Sequence, residues 1–239
     1  MNKSMKLKYC IKTYLTGICE ITTNHGVLFL FKFLIDFLKI RNEISKILLN
    51  ISIKYKSDNP GESYEKYLDS NVWIFECLLR FYRLNLHKLK HKINILDLGT
   101  GAGYFPFICR FYGHNVESID IPDNEMYNEI IDAFKLYRYG QYITYNSFLI
   151  THNRYNLISA FMICFNEHKK SNLWHIMEWE TFLNNIKNNN LTHNGEIYLS
   201  FNAESFEEPV NRELLSYFES RNGDVINSST VHIKSNYIF

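Results

Sequence analysis

The chain has 239 residues, 46% of them apolar and 16% aromatic, enough to bury a sizeable core and to exclude intrinsic disorder. Lysine and arginine (26) nearly balance aspartate and glutamate (25), so the overall field gives no reason to expect a polyanionic partner. Five scattered cysteines (Cys10, Cys19, Cys77, Cys109, Cys164) form no C-x-x-C pair, which argues against a disulfide framework or a zinc site and for a reducing compartment.

The first third reads as helical. YCIKTYLTGICE is broken by Lys12 and has no small-residue cleavage site, so no leader peptide is read here and a cytosolic protein is expected. GVLFLFKFLIDFLKI, from Gly26, is the most apolar stretch but is too short and interrupted to span a bilayer. Lys32, Asp36, Lys39, Glu43 and Lys46 recur at spacings of three and four, a narrow charged stripe on an otherwise apolar helix. The expectation is a helix packed on the rest of the protein or on a partner subunit, which leaves a homo-oligomer open. Membrane attachment is disfavoured, because the stripe is thin and mixed in sign.

Turn residues cluster in KSDNPGES around Pro60-Gly61, the clearest break in the chain. This gives residues 1–60 as a helical extension, 61–92 as a helical cap or linker, and 93–239 as the main domain. In LDSNVWIFECLLRFYRL, Asp69 or Ser70 can cap a helix whose apolar face is Ile74, Cys77, Leu78 and Phe81. From Ile93 the texture changes. INILDL, NVESID, QYITY, YNLISAF and GEIYLSF read as strands, separated in most cases by helical patterns in FPFICRFY, EMYNEIIDAFKLY and LWHIMEWETFLNNI. The tail reads as two more strands forming an antiparallel hairpin at a sheet edge. The expected fold is α/β: a Rossmann-like, seven-stranded, mostly parallel sheet with helices on both faces and a helical N-terminal cap.

ILDLGTGAGYF, Ile95 to Phe105, carries the strongest functional signal. A strand leads into Asp97, then Gly99, Gly101 and Gly103, then a helix beginning near Pro106 and ending at Gly113-His114. Glycines without a Cβ let the backbone turn sharply and let a ligand approach its N–H groups. A dinucleotide fingerprint needs G-x-G-x-x-G, and its third glycine is replaced here by the bulky Tyr104. No Gly-Lys-Ser/Thr follows, so a Walker loop is excluded. Asp120 ends the next strand, seventeen residues after Gly103, where a carboxylate can accept both hydroxyls of a ribose.

This D-x-G-x-G-x-G loop, with Asp120, resembles the class I S-adenosylmethionine-dependent methyltransferases, over roughly Ile93 to the C-terminus. GAGYFPFICRFYGHNV, PDNEMYNEI and AFMICFNEHK are similar to a bacterial subgroup of that family which brings no established acceptor with it. The resemblance implies S-adenosylmethionine as cofactor. Asp97 would help hold its amino-acid end, Gly99, Thr100, Gly101 and Gly103 would line it, Asp120 would take the ribose and Ile121 would lie against the adenine. Where many relatives carry an aspartate after the third strand this chain has Asn146, followed by Ser147; an amide oxygen still accepts a hydrogen bond from the adenine amino group. Tyr155-Asn156 stands where the fourth strand often opens Phe-Asp.

Past the fourth strand the polar groups are Asn166, Glu167 and His168, with His168 the natural base near neutral pH. A helix-capping Asn166 and a solvated His168 are the plainer reading of the same residues. Trp174, Trp179 and Phe182 read as the core face of the following helix rather than a substrate cage. SYEKYLDS could cover the cofactor as a lid. The motifs of DNA amino- and cytosine-methylating enzymes are absent, so a small-molecule acceptor is expected and nucleic acid is not. Two other classes stay open: a non-catalytic S-adenosylmethionine-binding regulatory module, and an NAD-dependent oxidoreductase.

Overall fold

The computed structural model describes residues 3–55, 65–151, 153–163, 165, 173–201, 212–234 and 237, with backbone alone for 3–11, 25, 65 and 66. The chain forms two compact units. The first comprises Met1–His91, Ala102–Gly113 and Asn124–Leu136; the second comprises Lys92–Gly101, His114–Asp123 and Tyr137–Phe239.

The first unit is helical: α1 (Lys3–His25), α2 (Val27–Ile47), α3 (Leu49–Lys54), a 3-10 turn (Glu65–Leu68), α4 (Ser70–Arg83), α5 (Tyr104–Phe111) and α6 (Glu125–Ala133). Gly26, at φ 84°, makes the break between α1 and α2. The apolar face expected for α4 is the unit's core, with Ile74, Cys77, Leu78 and Phe81 all buried. From α2, Phe33 meets Phe75 and Tyr82 edge-on, with ring centroids 5.2 Å apart in each pair. Asp36 is buried beside them. Its carboxylate accepts from the Tyr82 hydroxyl at 3.0 Å and from the Tyr112 hydroxyl, the bonding a buried charge requires. Burial, reinforced by that carboxylate, pushes both phenols well above the usual tyrosine range.

α5 begins at Tyr104, two residues before Pro106, so the proline sits inside the first turn where its missing N–H leaves no helical bond unmade. The Arg110 guanidinium donates to the carbonyls of Phe134 and Lys135, satisfying the C-terminal end of α6.

The second unit is a seven-stranded sheet: β1 (Asn94–Leu98), β2 (Asn115–Asp120), β3 (Arg138–Gly140), β4 (Tyr155–Ile163), β5 (Leu191–Phe201), β6 (Asp224–Asn227) and β7 (Thr230–Ile233), with helices α7 (Ile176–Asn189) and α8 (Arg212–Ser220). Strand order is β3-β2-β1-β4-β5-β7-β6. The first five strands pair in parallel, β7 runs antiparallel to β5, and β6–β7 is the expected hairpin at the edge. Leu96, Leu98, Ile119, Ile158, Ala160, Ile197 and Leu199 share one apolar core with Trp179, Phe182, Leu183 and Ile186 of α7 and with Phe218 of α8. Trp179 and Phe182 are on the core face of α7, as expected; Trp174 is also in the core but precedes the helix, its N–H donating to Phe165 O at 2.9 Å.

One strand differs from expectation. The third strand is Arg138–Gly140, and QYITY is not a strand. β2 ends at Asp120, whose carbonyl accepts the last rung from Gln141 N–H at 3.2 Å, and Pro122 then removes the next donor. With no partner left to pair, 141–145 continues as a loop, pinned where the Gln141 side chain donates to Phe148 O and accepts from Ile150 N–H, both at 2.8 Å.

Candidate functional site

In a parallel sheet the carboxyl ends of the strands share one edge, and the turns leaving that edge face any ligand. β1 delivers the glycine loop there and β2 delivers Asp120. The β1–β2 ladder closes with Gly99 N–H donating to Ile119 O at 2.8 Å. All three glycines are left-handed, with φ of 62°, 54° and 75° at positions 99, 101 and 103. They differ in what surrounds them. A Cβ on Gly99 would lie 2.4 Å from Ile163 Cδ1, and one on Gly103 would lie 2.6 Å from Ile131 Cδ1. At Gly101 no atom of the described residues, its chain neighbours aside, lies within 4 Å of that position. A Cβ at 99 or 103 would make neighbouring side chains shift, while among the described residues Gly101 presents bare backbone to open space.

Asp120 is tied to that loop. One carboxylate oxygen accepts from Gly101 N–H at 2.6 Å, the other from Ile121 N–H at 2.7 Å. Burial pushes the carboxyl above the usual aspartate range, opposed by these two donors and by the charge of Arg138. A carboxylate held by two backbone donors is fixed in direction and keeps lone pairs for further donors.

Asp97, only 3% exposed, sits one strand inward. In register it stands between Ser118 on β2 and Ser159 on β4. The Ser159 hydroxyl donates to it at 2.6 Å. The Ser118 hydroxyl and that of Thr100, inside the loop, are buried with no hydrogen-bond partner among the described residues. An orphaned buried hydroxyl costs about 1–3 kcal/mol. Two of them, on and beside the loop, are what a polar ligand with both donors and acceptors would satisfy.

Asp97, Gly99, Thr100, Gly101, Asp120 and Ile121 therefore lie at the carboxyl ends of β1 and β2. Gly103 is the N-cap of α5, and Tyr104 after it is buried with its hydroxyl donating to Tyr67 O at 2.6 Å. The bulky residue in place of a dinucleotide glycine therefore anchors the 3-10 turn. Asn146 and Ser147 stand in a turn six residues past the end of β3, where the Thr144 hydroxyl donates to the Asn146 side-chain oxygen at 2.8 Å and pairs with the Ser147 hydroxyl. Asn156 acts at the opposite end of its strand, accepting from Asn94 N–H at 3.0 Å. Asn166, Glu167 and His168 lie outside the described residues, as does Tyr64 of the suggested lid. Reasoning from sequence missed Ser118, Ser159 and Gln141. The two serines were visible only as polar residues interrupting strand patterns.

No protein-family model matches the sequence, and no curated protein does. Among solved structures the chain is similar to a TehB-like S-adenosylmethionine-dependent methyltransferase from Corynebacterium glutamicum, with 19% identity over 64% of this chain and 85% of that one and a TM-score of 0.46. It is also similar to an S-adenosylmethionine-dependent methyltransferase from Clostridium acetobutylicum, with 18% identity over 58% of this chain and 53% of that one and a TM-score of 0.39. Likeness this distant says nothing about an acceptor. The strand order β3-β2-β1-β4-β5-β7-β6 with β7 alone reversed, and with the glycine loop following β1, is the Rossmann-like, mostly parallel α/β sheet expected from the sequence.

Proposed function

We propose that the chain is an S-adenosylmethionine-dependent methyltransferase acting on a small-molecule acceptor. The observation that carries this reading is the pairing of Gly101, open above its backbone, with the Asp120 carboxylate bonded to its N–H. The residues fit that cofactor. Asp120 would accept the ribose hydroxyls, Ile121 would lie against the adenine, and the Thr100 hydroxyl has bonding capacity to spare. Asp97, braced by Ser159, would hold the amino end of the amino-acid part.

When bound, this cofactor supplies a methyl group already activated by its sulfonium charge, so the main demand on the protein is to align the acceptor. A hydroxyl acceptor also has a proton to lose. Asn166 and His168 follow β4 directly in the chain, which supports a role for them at the same sheet edge, with Asn166 orienting the acceptor and His168 taking its proton.

The test is to incubate the protein with fractionated metabolite extract and methyl-labelled S-adenosylmethionine. A labelled small molecule is the expected result. Tight cofactor binding with no fraction labelled would favour the regulatory module over the enzyme.

A further inference from the structure

α2 has an outer face that neither its own unit nor the sequence pattern explains. Successive residues of a helix turn by about 100°. On that wheel the buried residues Phe33, Asp36, Ile40 and Ile44 hold one side. On the other, Val27, Leu28, Phe31, Ile35 and Leu38 fall within one arc of roughly 100°. Leu28 is 84% exposed, Phe31 60%, Ile35 52% and Leu38 56%. Isolated exposed leucines are ordinary, but a contiguous apolar stripe of this kind marks an interaction surface.

The charges on its borders select the occupant. Lys39 and Lys46, with Glu43 beside them, line one border and Arg41 the other, all exposed, while the Lys32 ammonium turns inward to Asp36 and the Tyr82 ring. The stripe of alternating sign legible in the sequence is not what the surface presents, because Asp36 is buried against Tyr82 and Tyr112. It reaches Lys32 from beneath at 3.4 Å, and Glu43 is the one exposed carboxylate on α2. We propose that this face lies in the plane of an anionic lipid bilayer, with Leu28, Phe31, Ile35 and Leu38 entering the interface and the flanking cations meeting lipid phosphates and carboxylates. Leucine and phenylalanine between basic borders are the composition of an interfacial helix, and long lysine side chains reach past the apolar layer to the headgroups. A second copy fits the borders less well. In an antiparallel pair a two-fold axis sets each border against its own copy, so Lys39 and Lys46 would share one seam with their like and Arg41 the other. Among the described residues no helix is long and apolar enough to cross a membrane, so the contact is one of surface attachment. It is independent of the proposed reaction.

The experiment is flotation of the full chain with vesicles of phosphatidylcholine alone and with roughly one third phosphatidylserine, at low and high salt. Binding to the anionic vesicles, weakened by salt, is expected. Leu28→Ser with Phe31→Ser should cut partitioning on the order of tenfold or more. These side chains are exposed, so the fold should survive, as a thermal melt would verify. Lys39→Glu with Lys46→Glu should cut binding to anionic vesicles selectively. The proposal is overturned if the native chain ignores anionic vesicles at low salt, or if the variants float as well as it does. It is equally overturned if light scattering finds a dimer that Phe31→Ser converts to monomer.

Discussion

Replacing Gly101 by alanine separates what the glycine loop does for the fold from what it does for a ligand. Its φ of 54° is left-handed, which costs a non-glycine residue about 1–2 kcal/mol. The new methyl meets no atom of the other described residues within 4 Å, so no packing penalty is added. For a chain of this size the loss amounts to a melting temperature lower by about 2–8 °C. Gly103→Ala carries the same backbone cost at φ 75°, and its methyl also lands 2.6 Å from Ile131 Cδ1 and 2.8 Å from Leu136 Cδ1. Overpacking adds about 1–3 kcal/mol. Gly103→Ala should therefore be the less stable variant. Gly101→Ala should stay folded but bind S-adenosylhomocysteine at least about tenfold more weakly, a loss of about 1.4 kcal/mol, because the methyl fills the space left for close approach. Calorimetric melting and titration calorimetry on both variants decide the matter. A Gly101→Ala protein with undiminished affinity, or one less stable than Gly103→Ala, would refute the reasoning.

The pH response of Asp120 is a second expectation. Its folded carboxyl titrates above the unfolded one, so the folded state holds an extra proton between the two values and its contribution to stability falls as pH rises through that window. Hydroxyl donors favour the ionised form, so affinity for the nucleoside should fall as pH drops through the raised value. Asp120→Asn should abolish this dependence in titrations run across the acidic range. Phe33 is fully buried between Phe75 and Tyr82, so Phe33→Ala should cost about 3–5 kcal/mol in a denaturant melt, and Phe33→Asp should leave the chain unfolded or aggregated. Once an acceptor is known, His168→Ala should leave cofactor affinity nearly unchanged while turnover falls by about 10²–10⁴-fold. Full turnover in both that variant and Asn166→Ala would remove these residues from the site.

Much of the sheet was legible because its strands are short apolar runs that end at turn residues, and the loop was legible because three alternating glycines need left-handed backbone. β3 was not, since three residues carry no periodicity; its position is set by where β2 runs out of partners at Asp120. The burial of Asp36 was equally hidden. The carboxylate is held by hydroxyls 46 and 76 residues away, and helical spacing alone placed it on the charged stripe. Ser118 and Ser159 could be recognised as flanking Asp97 only once the register of β1 with β2 and β4 was known.

Titration calorimetry with S-adenosylmethionine, S-adenosylhomocysteine and NAD, on the native chain and on Asp120→Ala, tests the central claim most directly. The two adenosyl ligands should bind and NAD should not. Asp120→Ala should weaken both by about 1.5–3 kcal/mol, the scale of hydrogen bonds to a charged acceptor. Tight NAD binding with no heat from either adenosyl ligand, or full affinity without the Asp120 carboxylate, would contradict the account.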